Sequence, residues 1–210
     1  MSQVRGGTRW KRFAVVMVPS VAATAAIGVA LAQGALAASF AVSGQEFKVT
    51  AGKLDGHGMV QYGSLDAGTD LEGKAGAHHP VAVSGFNSAE ITNMCQSVVT
   101  EIPGLGAITM KLTAGDGGTP VAAKKIYIDS SALDADAEFR NINIGVAAGQ
   151  SSKGPGIQSG DQMAKKGGFA QEADRAILTD VKQTAWATSA GTFKLSGLKL
   201  RLNLGKNECY

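Results

Sequence analysis

Two stretches of the chain alternate apolar and polar residues in the same way. In FAVSGQEFKV, beginning at Phe40, residues Phe40 and Val42 and then Phe47 and Val49 alternate with Ala41, Ser43, Lys48 and Thr50. In FKLSGLKLRLNL, beginning at Phe193, the apolar set is Phe193, Leu195, Leu198, Leu200, Leu202 and Leu204, with Lys199, Arg201 and Asn203 between. A period of two belongs to a strand with one buried face. In both stretches a Ser-Gly pair shifts the phase by one residue, and VAVSG from Val81 is a partial third copy. Glycine inside a strand pattern marks a bulge or bend. The pattern therefore predicts long strands kinked at Gly44, Gly85 and Gly197.

A second echo joins ITNMCQSVV, from Ile91, to LTDVKQTAW, from Leu178: Thr92 matches Thr179, Asn93 answers Asp180, Gln96 matches Gln183 and Ser97 answers Thr184. The spacings of these echoes share no period, which argues against a solenoid and for a pseudo-symmetric sheet. Further strands are expected at Met59–Tyr62, Ile108–Leu112, Lys125–Ile128 and Phe139–Ile144, with loops at 66–80, 114–120 and 147–168. The last loop contains SSKGPGIQSGDQ, polar and Gly-rich enough to be expected mobile. Residues 169–187 carry both signals. Phe169, Ala173, Ile177, Val181 and Ala185 recur every four residues as in a helix, whereas the Thr content and the echo favour a strand after Arg175. Asn93–Val99 also fits a short helix. The expected fold is mainly β: a curled antiparallel or mixed sheet, closing as a sandwich, barrel or half-pipe, with few short helices. Glycine supports it, because 28 of 210 residues is about twice ordinary usage while proline is only 5, the balance of a chain with many tight turns.

The first 38 residues read differently. Arg5, Arg9, Lys11 and Arg12 precede an apolar run that ends at Ala35-Leu36-Ala37, the form of a secretory signal with a small-residue cleavage site. The uncharged stretch 13–32 is also long enough to cross a bilayer as a helix, so the segment serves either as a cleaved signal or as a retained anchor. Either way, residues 39–210 are expected as one exported domain, secreted or held at the cytoplasmic membrane. The leader takes four of the 20 positive charges and none of the 17 acids, leaving 16 against 17 in the domain. Without a basic patch there is no counterion-release drive, and nucleic acid is excluded as a partner.

Candidate chemistry is sparse. Cys95 and Cys209 are the only cysteines, and in an exported domain they are expected to form one disulfide. Neither has a second Cys or His at ligand spacing, so no metal site is expected, and no cofactor-binding motif occurs. No G-x-S-x-G, P-loop, H-E-x-x-H or C-x-x-C is present. His57 lies between two glycines, and His78 and His79 are neighbours that would point in opposite directions on an extended chain. Asp134, Asp136 and Glu138 alternate and would share one strand face, as a solvated surface or as oxygen ligands for calcium. Ser196 and Lys199 have the S-x-x-K spacing, but on a strand pattern rather than the helical turn that chemistry needs.

The leader with its first strand, the block SAEITNMCQSV and the ending AGTFKLSGLKLRLNLGKNEC together resemble a functionally uncharacterised family of exported proteins of filamentous actinobacteria. Some of its members carry the label cholesterol esterase, and members are often encoded beside a small multi-pass membrane protein. The resemblance thus implies a possible ester hydrolase and a membrane partner. For hydrolysis, Ser64 in Tyr62-Gly63-Ser64-Leu65 is the nearest approach to a lipase block, with His57, His78 or His79 as candidate bases, although the expected Asp before the serine is absent. The favoured expectation is a non-catalytic carrier of a lipidic ligand inside the curled sheet; a surface protein docking on a membrane partner is the alternative.

Overall fold

The structure is a computed structural model that describes residues 43–70 and 73–210. The leader, with its candidate anchor 13–32, and the start of the first kinked stretch, Phe40–Val42, lie outside the described residues. Eight strands and one short 3-10 turn make up the described chain: β1 (Phe47–Thr69), β2 (Ala75–Thr92), β3 (Met94–Ile102), β4 (Gly106–Ala114), β5 (Val121–Arg140), β6 (Asn143–Ala147), the turn Ala148–Gln150, β7 (Phe169–Lys194) and β8 (Lys199–Leu204). All pairings are antiparallel. The sheet order is β6-β7-β5-β2-β1-β3-β4-β8, and β7 also pairs with β1. The long strands β1, β2, β5 and β7 therefore close into a ring, while β3, β4 and β8 continue from β1 as an open wing. Closure is how a barrel removes its edges.

A ring of four strands encloses little space, and its filling shows it. The interior holds Ala51, Ala89, Ala123, Ala173, Ala176 and Ala185 around Leu54, Met59, Phe86, Ile91, Ile126 and Leu178. Gly56 makes room for the largest of these: a Cβ there would stand 2.3 Å from Cδ1 of Phe86. Near this core the second half of β5 turns Leu133, Ala135, Ala137 and Phe139 onto a cavity of about 190 Å³ shared with Met59, Gln61, Ser84, Phe86 and Leu178. Asp134, Asp136, and Glu138 alternate with them and are exposed.

The ring strands change phase together. Core residues run Leu54, then Met59 on β1; Phe86, then Ala89 on β2; and Ala123, then Ile126 on β5. The slips fall at Gly58 (φ +61), Asn87 and Lys125 (φ +48), which oppose one another, so pairing resumes beyond them in unchanged count. This corrects the kink at Gly85, which lies in unbroken β2 two residues before the slip. Gly44 is not inside a strand either: it sits in a bend before β1. Gly197 (φ +68) lies in the turn between β7 and β8, so FKLSGLKLRL is two strands that pair with different partners, β5 and β4. The Ser-Gly of that copy ends one strand rather than bending it.

The second echo has a geometric basis. Gln96 and Gln183 both pair with Val49, and Ser97 and Thr184 both pair with Lys48, from opposite sides of β1. Asn93 and Asp180 both adopt φ +52, and Gly52, the residue they flank, would bring a Cβ within 3.1 Å of the Asn93 side chain. Asn and Asp tolerate this left-handed conformation better than branched residues. Residues 169–187 are strand throughout, from Phe169 onward, because β7 is paired on both sides, and positions four apart share a face of a strand as well as of a helix. Residues 66–80, expected as a loop, are mostly the facing ends of β1 and β2, and the expected strand Phe139–Ile144 is divided at Asn141 (φ +52).

The C-terminal tail returns along the wing. Cys95 and Cys209 are bonded across 114 residues. Ser97 Oγ accepts the Cys209 amide at 3.0 Å, and Thr109 Oγ1 accepts that of Asn207 at 3.0 Å, which satisfies two hydroxyls that are almost wholly buried. Substituting Gly56→Ala is expected to destabilise the domain by about 2 kcal/mol, because the added methyl overlaps the Phe86 ring and forces it to shift. Combining it with Phe86→Leu should cost less than the two changes added together, measured as urea midpoints.

Candidate functional site

Outside the ring, residues 151–168 fold back over one face of β1 and β2. Beneath them a second apolar cluster, Val60, Tyr62, Val81, Val83, Ala148 and Ala170, packs against Tyr127, Ile157, Ala164 and Trp186. This segment was expected to be mobile, yet it is pinned along its length. Glu172 Oε2 accepts the amides of Ser152 and Lys153 at 2.6 and 3.0 Å, Tyr127 Oη donates to Pro155 O, and Tyr62 Oη accepts the Gln158 amide at 2.8 Å. Two glycines provide flat seating. A Cβ on Gly154 would be 2.6 Å from the Val60 nitrogen, and one on Gly85 would crowd the Tyr127 ring and Pro155.

The strand register sets a group of polar side chains beside this cover. Tyr62 opposes Val83, Ser64 opposes Val81, Asp66 opposes His79, and Val83 in turn opposes Asp129 of β5. Opposed residues share a face, so Ser64, Asp66, His79 and Asp129 stand together. The covering loop adds Asp161, whose Oδ1 accepts Ser64 Oγ at 2.8 Å and the amides of Met163 and Ala164 at 3.0 and 2.9 Å. His79 stacks on Trp186, with ring centroids 3.5 Å apart. Among the described residues, the buried side-chain atoms without a hydrogen-bond partner are Asp66 Oδ2, His79 Nε2 and Asp129 Oδ1, all in this one place.

Burial of charge without compensation raises carboxylate pKa values. Asp129 is only 5% exposed, and desolvation, followed by the charges of Asp66 and Asp161, pushes it up to about 7. Asp66 is pushed up to about 6 by desolvation and then by Asp161. Desolvation also drives the Tyr62 phenol far above its ordinary value. Among the described residues no lysine or arginine acts on either carboxylate.

Of the candidate residues from the sequence, Ser64 and His79 meet here and the other two histidines do not. The Ser64 hydroxyl is engaged as the loop's anchor, and among the described residues no hydrogen bond joins it to a histidine. His79 lies in β2, not in a loop, and its neighbour His78 is exposed. His57 is at the other end of the ring, 3.8 Å from Asp55, whose carboxylate is held in a two-pronged pair by Arg175 at 2.7 Å and well below its usual pKa range, chiefly by that bond. Ser196 lies in a turn and Lys199 pairs with Asp116, so the S-x-x-K spacing assembles nothing. Sequence reasoning missed Asp66, Asp129 and Asp161. A carboxylate within the apolar run IYIDS was the available signal for Asp129.

A second surface stands out on the wing. Leu198, Leu200, Leu202 and Leu204 are 50%, 58%, 72% and 78% exposed. Leu200, Leu202 and Leu204 pair with Leu112, Met110 and Ile108 of β4, which continues the apolar face inward. On the reverse side a cleft of about 360 Å³ is lined by Lys111, Thr113, Lys199, Arg201, Asn203 and Asn207. Two of its cations are already engaged, Lys111 by Asn207 and Glu208 of the tail and Lys199 by Asp116.

The raised carboxylates give a pH dependence of definite sign. The folded domain holds protons on Asp66 and Asp129 that the unfolded chain releases near pH 4, so their contribution is fullest below that pH and declines as pH rises to about 7. Asp55 and Glu172 are shifted downward and act oppositely, losing stability as pH falls below their unfolded values. Thermal unfolding should therefore show a Tm roughly 5 °C lower at pH 8 than at pH 5, on the order of 2 kcal/mol. Asp129→Asn should remove most of that fall.

Comparison with known proteins places the chain without assigning it an activity. No curated protein and no solved structure matches it. A family of unknown function, DUF6230, has a model that matches residues 43–210, nearly all of the described chain, and the protein belongs to that family.

Proposed function

We propose that this is a non-catalytic domain of the cell envelope that engages lipid through the leucine face of its wing rather than through an interior cavity. The exposed run Leu198, Leu200, Leu202 and Leu204 carries the reading. An apolar face of this kind on a folded domain marks an interaction site. The interior supports a carrier less well, because its cavity of about 190 Å³ falls below the ~300–1,000 Å³ of ordinary ligand sites.

The occupant is the bilayer that the apolar run 13–32 addresses. The described chain begins at Ser43, and two residues later the Gln45 side chain donates to Val99 O and accepts from Thr100 Oγ1. Thr100 pairs with Ile108, and Ile108 with Leu204, so the described chain begins at the rim of the leucine face. Exposed Ile102 and Leu105 at the β3–β4 hairpin extend the same apolar end. Anchor and face then act on one surface, and a tether makes the second contact intramolecular.

The test uses the full chain in phosphatidylcholine and phosphatidylglycerol vesicles, comparing wild type with Leu202→Trp. Emission added by the new tryptophan should be quenched by brominated acyl chains and sheltered from aqueous iodide. Emission open to iodide and untouched by bromine would contradict the reading, and a concentration-dependent dimer in detergent would assign the face to a second copy instead.

A further inference from the structure

The cluster beneath the 151–168 loop has a division that its hydrogen bonds reveal. The first half of the loop is held by groups that keep their charge and bonding through neutral pH: Glu172 takes the Ser152 and Lys153 amides, and the phenols of Tyr62 and Tyr127 bond to Gln158 and Pro155. The far end of the loop is fixed by backbone bonds from Gly149 to Lys166 O and from Ala148 to Gly168 O, and the stretch between is held by Asp161, through Ser64 Oγ on the barrel and through the amides that fold its own turn. Asp161 thus carries the loop's charge to the same place where Asp66 and Asp129 carry the barrel's.

No lysine or arginine among the described residues bears on Asp66 or Asp129. Around Asp129 stand Asp66 and Tyr62 from β1, His79 from β2, Tyr127 from β5 itself, and Asp161 from the loop, while β7 contributes the uncharged Trp186. Asp129 is almost wholly buried, and its Oδ1 has no partner. Among the described residues no three His, Cys, Asp or Glu side chains are arranged so that they could hold a metal ion. The ligand suited to an orphaned, desolvated carboxylate is a proton.

We propose that residues 159–165 form a proton-gated latch, seated on Ser64 while Asp66 and Asp129 are protonated and released when both lose their protons. With the protons on, Asp161 faces two neutral carboxyl groups, and its bond from Ser64 Oγ holds the loop to the barrel. With them off, two barrel carboxylates face a third on the loop in a site of low dielectric, and their repulsion disfavours the seated loop. The two protons leave to solvent. Ala164 would then withdraw from the apolar floor around Val60, Val81 and Trp186. Ordinary carboxylates complete their titration well below neutrality; the shifts described above bring this transition to about pH 6–7.

Hydrogen exchange of the full chain, corrected for the intrinsic pH dependence of amide exchange, tests the latch independently of the lipid reading. Protection of a peptide covering 159–165 should fall at least tenfold between pH 5.5 and pH 8, while that of a β7 peptide covering 173–181 stays level. The Asp66→Asn/Asp129→Asn variant should show no such fall, and Ser64→Ala should lower protection at both pH values. Equal protection of 159–165 in the wild type at the two pH values overturns the proposal, as does an undiminished fall in the double variant. Should that variant not fold, the wild-type contrast between the two peptides decides.

Discussion

The pairing of β1 with β7 closes the sheet into a ring, and closure at four strands sets the size of everything inside it. An interior this narrow accepts alanines, one glycine and a single phenylalanine where a wider barrel would take larger residues. Close packing leaves no slack for a strand to bend alone. The slips at Gly58, Asn87 and Lys125 are consequently opposed, and each strand changes phase where its neighbour does. The ring also needs a wall for the second apolar cluster on its outside, and the 151–168 loop provides it.

Much of this was legible in the alternation of apolar and polar residues. The strands at Met59–Tyr62, Ile108–Leu112 and Lys125–Ile128 lie within β1, β4 and β5, and the echo between ITNMCQSVV and LTDVKQTAW reflects two strands that flank β1 in one register. What misled was the assumption that glycine marks each change of phase. Lys125 and Asp180 adopt positive φ without being glycine, and Asn87 slips opposite one, whereas Gly85 serves close packing and Gly197 serves a turn. A local pattern records the phase of one strand but not which neighbour the strand meets. The ending FKLSGLKLRL looked like a single bent strand for that reason.

The candidate site was less legible because it depends on register and on a long return of the chain. Ser64 and His79 attracted attention as chemistry-bearing residues, yet they meet as parts of a carboxylate cluster whose other members, Asp66, Asp129 and Asp161, come from β1, β5 and a loop nearly a hundred residues away from Ser64 in sequence. Spacing in sequence holds no trace of that convergence. The leucine run of β8 was plain from the start, but alternation predicts only that one face is apolar. Exposure of that face follows from the position of β8 at the outer edge of the wing. An apolar face on the wing and a loop seated against the ring are separate features, and each invites an external condition, a lipid surface or a pH, that a packed core does not.

The ring itself is tested most directly by backbone nuclear Overhauser effects from β1 in solution. Leu54 pairs with Ile91 on one side and Leu178 on the other, and Gly56 likewise with Ala89 and Ala176. Cross-strand contacts from both residues to both neighbours are expected in a single native spectrum. Contacts to β2 alone, with β7 absent from the other side, would contradict closure and with it the account of the narrow core.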